Sequence, residues 1–107
     1  MMNLNWINRH IRKGHGLLGA VYPESGFYPE HPGVWEGDSP SFLYLVSDAL
    51  GISDAEKPWQ DSWGGKFVQP DKANNHWFDA PGGGIHVYKW RKAVQDDFAK
   101  RADWMLP

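Results

Sequence analysis

The sequence predicts an α+β fold of three helices and a small antiparallel β-sheet. Apolar side chains recur at the three- and four-residue spacing of amphipathic helices over residues 5–13, 40–50 and 89–105. Three short runs rich in β-branched and aromatic residues lie among turn-forming residues, at 66–69, 76–79 and 85–88. Because 107 residues is the length of one ordinary domain, we expect these elements to form a single small domain, residues 1–107.

The first helix is expected to end at Gly14. Trp6, Ile7 and Ile11 fall on one helical stripe, and basic residues in the last turn suit the negative end of the helix dipole. Gly14 can take the left-handed conformation that commonly follows a helix. The short apolar run 17–22 that comes next predicts a brief strand or an extended loop.

The central helix has a clear start signal. Dense Pro and Gly over residues 23–37 predict a long loop, of the kind that is usually functional or a site of association. Ser39 is a favourable N-cap and Pro40 suits the first helical position, while Gly51 ends the helix. Asp38 then precedes the positive end of the helix, where a carboxylate either caps the helix or orients a cation or a sugar hydroxyl.

The glycine-rich run 81–84 favours a hairpin turn between the second and third predicted strands. A phosphate-binding loop is disfavoured, because the run lacks the lysine-serine signature and we expect no helix directly after it. The last helix is the most regular in the sequence, with Trp90, Val94 and Phe98 on an apolar stripe that requires a partner surface.

Composition excludes several functional classes. The chain is 41% apolar and 22% charged with a net charge of −2, which argues against disorder and against a nucleic-acid partner. The sequence has no membrane-length apolar run and no signal-peptide pattern at its N-terminus, so we expect a soluble protein without a membrane partner. The absence of cysteine excludes disulfides, and the five histidines lack the spacing of a zinc site.

Seven tryptophans allow two interpretations. Large aromatic side chains can consolidate a small core, or they can present flat rings that match the apolar face of a pyranose. Most are expected in the core. Trp59, Trp63 and Trp77 lie among Pro, Gly and Asn, where exposure and sugar binding are easier to achieve.

Four blocks of the sequence, taken in order, resemble part of a known family. They are Gly14–Pro23, Trp35–Leu45, Trp63–Phe67 and Trp90–Trp104. Their order and spacing are similar to the end of the nucleoside hydrolase-like domain of secreted bacterial proteins described as cellulose-binding, a domain family of unknown function. The resemblance spans Trp6 to Trp104 and implies that the chain is the C-terminal segment of a larger α/β hydrolase-like domain.

The same resemblance implies an incomplete calcium site. Nucleoside hydrolases bind calcium through an N-terminal aspartate cluster joined by one late aspartate, and residues 1–8 contain no acidic side chain. Asp38 matches the late aspartate and is the candidate metal ligand, although Gly37 stands where the hydrolases have histidine. We therefore expect no catalysis, and a retained ligand pocket around Trp35, Glu36 and Asp38.

Two functions remain open at this point. The first is a non-catalytic remnant of a nucleoside hydrolase-like domain, with a nucleoside or sugar as ligand; the second is a small carbohydrate-binding module. A co-planar, solvent-facing pair among the three loop tryptophans would favour the second. A glycosidase that uses Glu36 and Asp38 as paired carboxylates is a third possibility.

We also expect a homo-oligomer, most simply a two-fold dimer. The longer domain would normally cover an apolar patch formed by Leu17, Leu18, Tyr22, Phe27 and the stripe of the last helix. Exposed patches of this kind mark interfaces.

Overall fold

The described residues, 3–24 and 39–106 of this computed structural model, contain five α-helices and one two-stranded antiparallel sheet. The elements are α1 Leu4–Ile7, α2 Gly16–Ala20, α3 Ser39–Ala49, β1 Phe67–Val68, β2 Phe78–Asp79, α4 Ile85–Tyr88 and α5 Arg91–Ala102. A π-helical turn, Asn8–Arg12, extends α1, and a 3-10 turn, Asp103–Met105, follows α5. The α+β class is confirmed, with five helices rather than the three predicted.

The chain divides into two compact units. Unit 1 comprises Met1–Gly37 and Gln95–Pro107, and unit 2 comprises Asp38–Val94. Among the described residues, no helix is both long and apolar enough to cross a membrane.

The core of unit 1 forms where the first predicted helix meets the last. Asn3 caps α1, because its side-chain oxygen accepts a hydrogen bond from the backbone N–H of Asn5 at 2.8 Å. Ile7 and Ile11 are fully buried against Ala102. Four partly buried side chains surround them: Trp6, Tyr22, Phe98 and Met105. The apolar stripe predicted for the first helix is confirmed.

The strand or extended loop predicted for residues 17–22 was wrong, because Gly16–Ala20 form the helix α2. Gly19 is the buried residue of this helix, and a Cβ added to it would lie 2.7 Å from the Cβ of His15 and closer still to the carbonyl oxygen of Ile11. The helix therefore packs through a glycine, while Leu17 and Leu18 are exposed. Residues 16–20 show no amphipathic pattern, because the buried face of α2 is formed by a glycine, which has no side chain.

α3 begins at Ser39, one residue before the predicted first helical residue Pro40, and anchors unit 2 through Ser47. The fully buried hydroxyl of Ser47 accepts hydrogen bonds from the backbone N–H of Trp63 at 3.2 Å and from the hydroxyl of Ser53 at 2.8 Å. Gly64 lies so close to α3 that an added Cβ would stand 2.6 Å from the Cβ of Tyr44. The close approach of residues 62–65 to α3 buries this part of the unit.

The sheet of unit 2 contains two of the three predicted strands. β1 and β2 pair antiparallel, with Phe67 opposite Asp79 and Val68 opposite Phe78. The third predicted strand was wrong, because residues 85–88 form α4. Gly82 and Gly83 have positive φ angles, and the N–H of Ile85 donates to the carbonyl of Gly82 at 3.2 Å. The glycine run thus turns the chain into a helix and not into a hairpin, as had been expected.

Candidate functional site

The candidate site is a shallow groove in unit 2 with a volume of about 240 Å³. It is lined by Trp59, Phe67, Val68, Gln69, Lys72 and Trp77. We call it the aromatic groove. Two of the three tryptophans that the sequence indicates as sugar-binding candidates lie in it.

The indole rings of Trp59 and Trp77 form a near-parallel pair. Their centroids are 6.3 Å apart and their planes differ by 21°. Trp59 is 54% exposed and Trp77 is half-buried. The two rings stack on each other and do not lie side by side in one plane, so the pair is not the co-planar one expected from the sequence. Trp59, the more exposed ring, offers the indole surface that a flat ligand can contact.

Local hydrogen bonds place each ring of the pair. The indole Nε1–H of Trp77 donates to the side-chain oxygen of Asn75 at 3.0 Å, directly before β2. The backbone N–H of Phe67 donates to the carbonyl of Pro58 at 3.0 Å, which holds the segment carrying Trp59 against the start of β1. Pairing of β1 with β2 then brings the two tryptophans together.

The rim of the groove is the turn between the two strands. The Asp71 carboxylate organises this turn, because it accepts hydrogen bonds from the N–H of Ala73 at 2.9 Å and from Nδ2 of Asn74 at 2.5 Å. Gln69 Nε2 donates to the carbonyl of Asn74 at 2.7 Å. Lys72, which lines the groove, therefore lies in a turn that three side-chain hydrogen bonds stabilise.

Trp63 contributes to packing and not to the groove. It is 5% exposed, contrary to the exposure expected from its loop-like surroundings. The adjacent Gly64 explains the difference, since only glycine permits the close contact with α3 that carries Trp63 inward. Within the described part of the chain the indole N–H groups of Trp63 and Trp90 are buried without a hydrogen-bond partner.

The other sequence-predicted site lies outside the described residues. This applies to Trp35, Glu36 and Asp38, the last being the candidate calcium ligand. Over residues 3–24 and 39–106, no group of three or more His, Asp or Glu side chains is placed to hold a metal ion. The described residues therefore do not themselves form the calcium site that the resemblance implies.

In unit 1, His15 forms a charged hydrogen bond with Asp103 that was not predicted from the sequence. Nδ1 lies 3.0 Å from the carbonyl oxygen of Lys13, and Nε2 lies 3.0 Å from Oδ1 of Asp103. Both ring nitrogens face acceptors, which favours the doubly protonated imidazolium. The hydrogen bond to Asp103 is the main cause that raises the pKa of His15 above its ordinary value, against an opposing effect of burial. With Asp103 remote in sequence, no local signal could reveal the pair.

A family model described as "Cellulose-binding Sde182, nucleoside hydrolase-like domain" matches residues 1–67. The match covers more than half of the chain. The chain belongs to this family. Neither the curated proteins nor the solved structures contain a significant match.

Membership of the Sde182 nucleoside hydrolase-like family confirms the resemblance over the first two thirds of the chain. The matched residues include Trp59 and end at Phe67, so the matched region contains one indole of the aromatic groove. Trp77 lies beyond it. The groove of this Sde182-family chain is therefore completed by residues outside the matched region.

Proposed function

We propose that this chain is a non-catalytic binding protein that holds a saccharide in the aromatic groove. The observation that carries the proposal is the near-parallel pair of Trp59 and Trp77 at an open groove. An indole face is flat and apolar, as is the C–H face of a pyranose, so stacking removes both from water. The family's description as cellulose-binding supports a saccharide as the ligand.

The lining of the groove favours binding over cleavage. Its six residues supply two indoles, two other apolar side chains, one amide and one ammonium group. Hydrolysis of a glycosidic bond generally uses a pair of carboxyl groups on either side of the bond. None of the six lining residues carries a carboxyl or imidazole group.

The size of the groove sets the expected affinity. A volume of about 240 Å³ is smaller than the ~300–1,000 Å³ typical of enclosed small-molecule sites. The groove should contact one or two sugar rings and leave their other faces in water. We therefore expect a dissociation constant on the order of 10⁻⁴ to 10⁻³ M, near −4 to −5.5 kcal/mol.

A nucleoside is the second candidate ligand for the same groove. The family description includes a nucleoside hydrolase-like domain, and a purine base stacks on an indole as a sugar does. A ligand panel with cello-oligosaccharides and nucleosides distinguishes the two.

The test is a titration of the chain with cellotetraose and with adenosine, followed by tryptophan fluorescence and calorimetry. Trp59→Ala and Trp77→Ala should each weaken cellotetraose binding by about tenfold or more, as expected for loss of one stacking contact. Phe42→Ala is the matched control, because Phe42 is an exposed aromatic residue on α3 that does not line the groove.

The outcomes separate the candidates. Unchanged binding in both groove variants, with far-UV circular dichroism showing that they are folded, would contradict the proposal. Adenosine binding that depends on Trp59 and Trp77, without cellotetraose binding, would establish the second candidate instead.

We also propose that the chain forms a homodimer through an apolar face of unit 1. α2 exposes Leu17 (89% exposed) and Leu18, and the 3-10 turn that contacts α2 exposes Trp104. Val21 is also exposed, whereas Tyr22 packs against Phe98 with ring centroids 6.1 Å apart. We call Leu17, Leu18, Val21 and Trp104 the α2 face. Phe27, which the sequence also suggests for this patch, lies outside the described residues.

A second copy is the occupant that best fits the α2 face. Its four side chains are apolar and exposed, as is typical of the core of a homodimer interface. A two-fold contact uses the same face on both copies. The surface buried on the two copies together can therefore reach the ~1,000 Å² of a specific interface.

A further inference from the structure

The ammonium group of Lys72 has no charged partner within the described residues. Two other lysines of unit 2 are paired, Lys57 with Asp54 at 3.2 Å and Lys89 with Asp61 at 2.8 Å. Lys72 forms neither an ion pair nor a cation–π contact with any residue in 3–24 or 39–106. Its charge is available to a ligand at the rim of the aromatic groove.

The nearest acidic residue in sequence is already engaged. Asp71 accepts through Oδ1 from the N–H of Ala73 and through Oδ2 from the amide of Asn74. These bonds hold the carboxylate within its own turn. Asp71 forms no ion pair with Lys72, so the ammonium group of Lys72 can pair with an anionic group of a ligand in the groove.

We propose that the aromatic groove selects saccharides that carry an anionic substituent, a carboxylate or a sulfate ester, over neutral ones. This inference rests on the proposed saccharide function. The sugar ring stacks on the exposed indole surface of Trp59, which Trp77 supports from its other side, while the anionic group of the sugar pairs with the ammonium of Lys72. Gln69, whose Nε2 is bonded to Asn74, presents its side-chain oxygen as an acceptor for a sugar hydroxyl.

The expected selectivity is modest and salt-dependent. Lys72 is exposed, and an ion pair at an exposed site contributes less than a buried one. A 2- to 5-fold preference, about 0.4–1 kcal/mol, is therefore expected at low ionic strength. Raising the salt concentration should reduce this preference, because mobile ions screen exposed charges.

The experiment compares cellotetraose with its counterpart oxidised to the carboxylate at C6, so that the two ligands share one backbone. A third arm uses cellotetraose sulfated at C6. Each is titrated by calorimetry at about 20 mM and about 200 mM salt, a range over which the screening length falls several-fold. Variants are Lys72→Met, which removes the charge, and Lys72→Arg, which keeps it. Lys100→Met is the control, since it removes an exposed lysine of unit 1.

We expect tighter binding of at least one anionic ligand, loss of that preference in Lys72→Met and its retention in Lys72→Arg and Lys100→Met. Cellotetraose affinity should be the same in all four proteins. Equal affinity of the wild type for neutral and anionic ligands, or a preference that survives Lys72→Met, would overturn the inference and leave the proposed function standing. Failure of all three ligands to bind would overturn both. The relative strength of the two anionic arms shows which substituent the groove takes.

Discussion

At the scale of single residues, His15 shows how a position in a turn becomes part of the packing. Its ring spans a backbone carbonyl on one side and the Asp103 carboxylate on the other. The 3-10 turn containing Asp103 is thereby joined to the N-terminus of α2 within unit 1. A charged contact of this type makes the stability of unit 1 depend on pH.

The direction of that dependence follows from the raised pKa of His15. Because the folded pKa lies above the ordinary value of 6.5, the imidazolium contributes stability that is fully present below pH 6.5. That contribution is lost as the pH rises through the folded pKa. At about pH 5.5, we expect the wild type to unfold at a higher urea concentration than Asp103→Asn. The difference between the two urea midpoints should shrink as the pH rises toward about 8.5.

Asp97→Asn is the control for this measurement. Asp97 pairs with Arg101 at 2.6 Å in the same unit, and arginine does not titrate in this range. The change in urea midpoint caused by Asp97→Asn should be nearly independent of pH over the same interval. A parallel pH dependence in the two variants would show that the His15–Asp103 pair is not the titrating contact.

At the scale of elements, two helices of this chain depend on glycine for their contacts. Gly19 lets α2 lie against the π-helical turn, and Gly64 lets the segment after the Trp59 turn approach α3. In both places an added Cβ would meet backbone or Cβ atoms that cannot rotate away. Close packing of this kind is sensitive to a single methyl group.

Gly19→Ala and Gly64→Ala should therefore each lower the free energy of unfolding, by roughly 1–3 kcal/mol. Gly84→Ala is the matched control, because Gly84 has a helical φ of −59° and no atom lies within 4 Å of its added Cβ. Urea denaturation measures all three. Equal stability of Gly19→Ala and Gly84→Ala would contradict the close contact described for α2.

The α2 face gives the second prediction at this scale. Leu17→Asp should convert the proposed dimer to a monomer, since a charge at the centre of an apolar interface must be desolvated without a partner. Light scattering at micromolar concentration measures the mass. Leu45→Asp, at an exposed position on α3 of unit 2, should leave the dimer intact. A monomeric wild type would refute self-association and leave the face to another partner.

At the scale of the whole molecule, we expect the chain not to release free base from nucleosides. The family's hydrolase-like description suggests the assay, and calcium typically requires six to eight oxygen ligands. Of the ligands expected from the sequence, Asp38 would supply one carboxylate and Glu36 at most a second. The chain is incubated with calcium and a nucleoside panel, alongside Asp38→Ala. Metal-dependent base release that Asp38→Ala abolishes would refute the non-catalytic proposal.

Local pattern determined a large part of this fold. The buried stripe of Ile7 and Ile11 follows from side chains close together in sequence, and so does the start of α3 to within one residue. The last predicted helix is observed as α5 with its 3-10 extension. The runs that form β1 and β2 were also predictable, because their β-prone residues stand between strong turn signals. Helical and strand periodicity are local properties, so one sequence is enough to show them.

Only the tertiary structure decided which tryptophans face solvent. Trp59, Trp63 and Trp77 have similar neighbours in sequence, yet the contact of Gly64 with α3 buries Trp63 and the pairing of β1 with β2 brings the other two together. The tertiary structure also decided that residues 16–20 form α2, which packs through Gly19, and that α4 follows directly after the glycine turn. Each outcome depends on a contact made through backbone or between residues distant in the chain, and such contacts leave no periodic trace in the sequence.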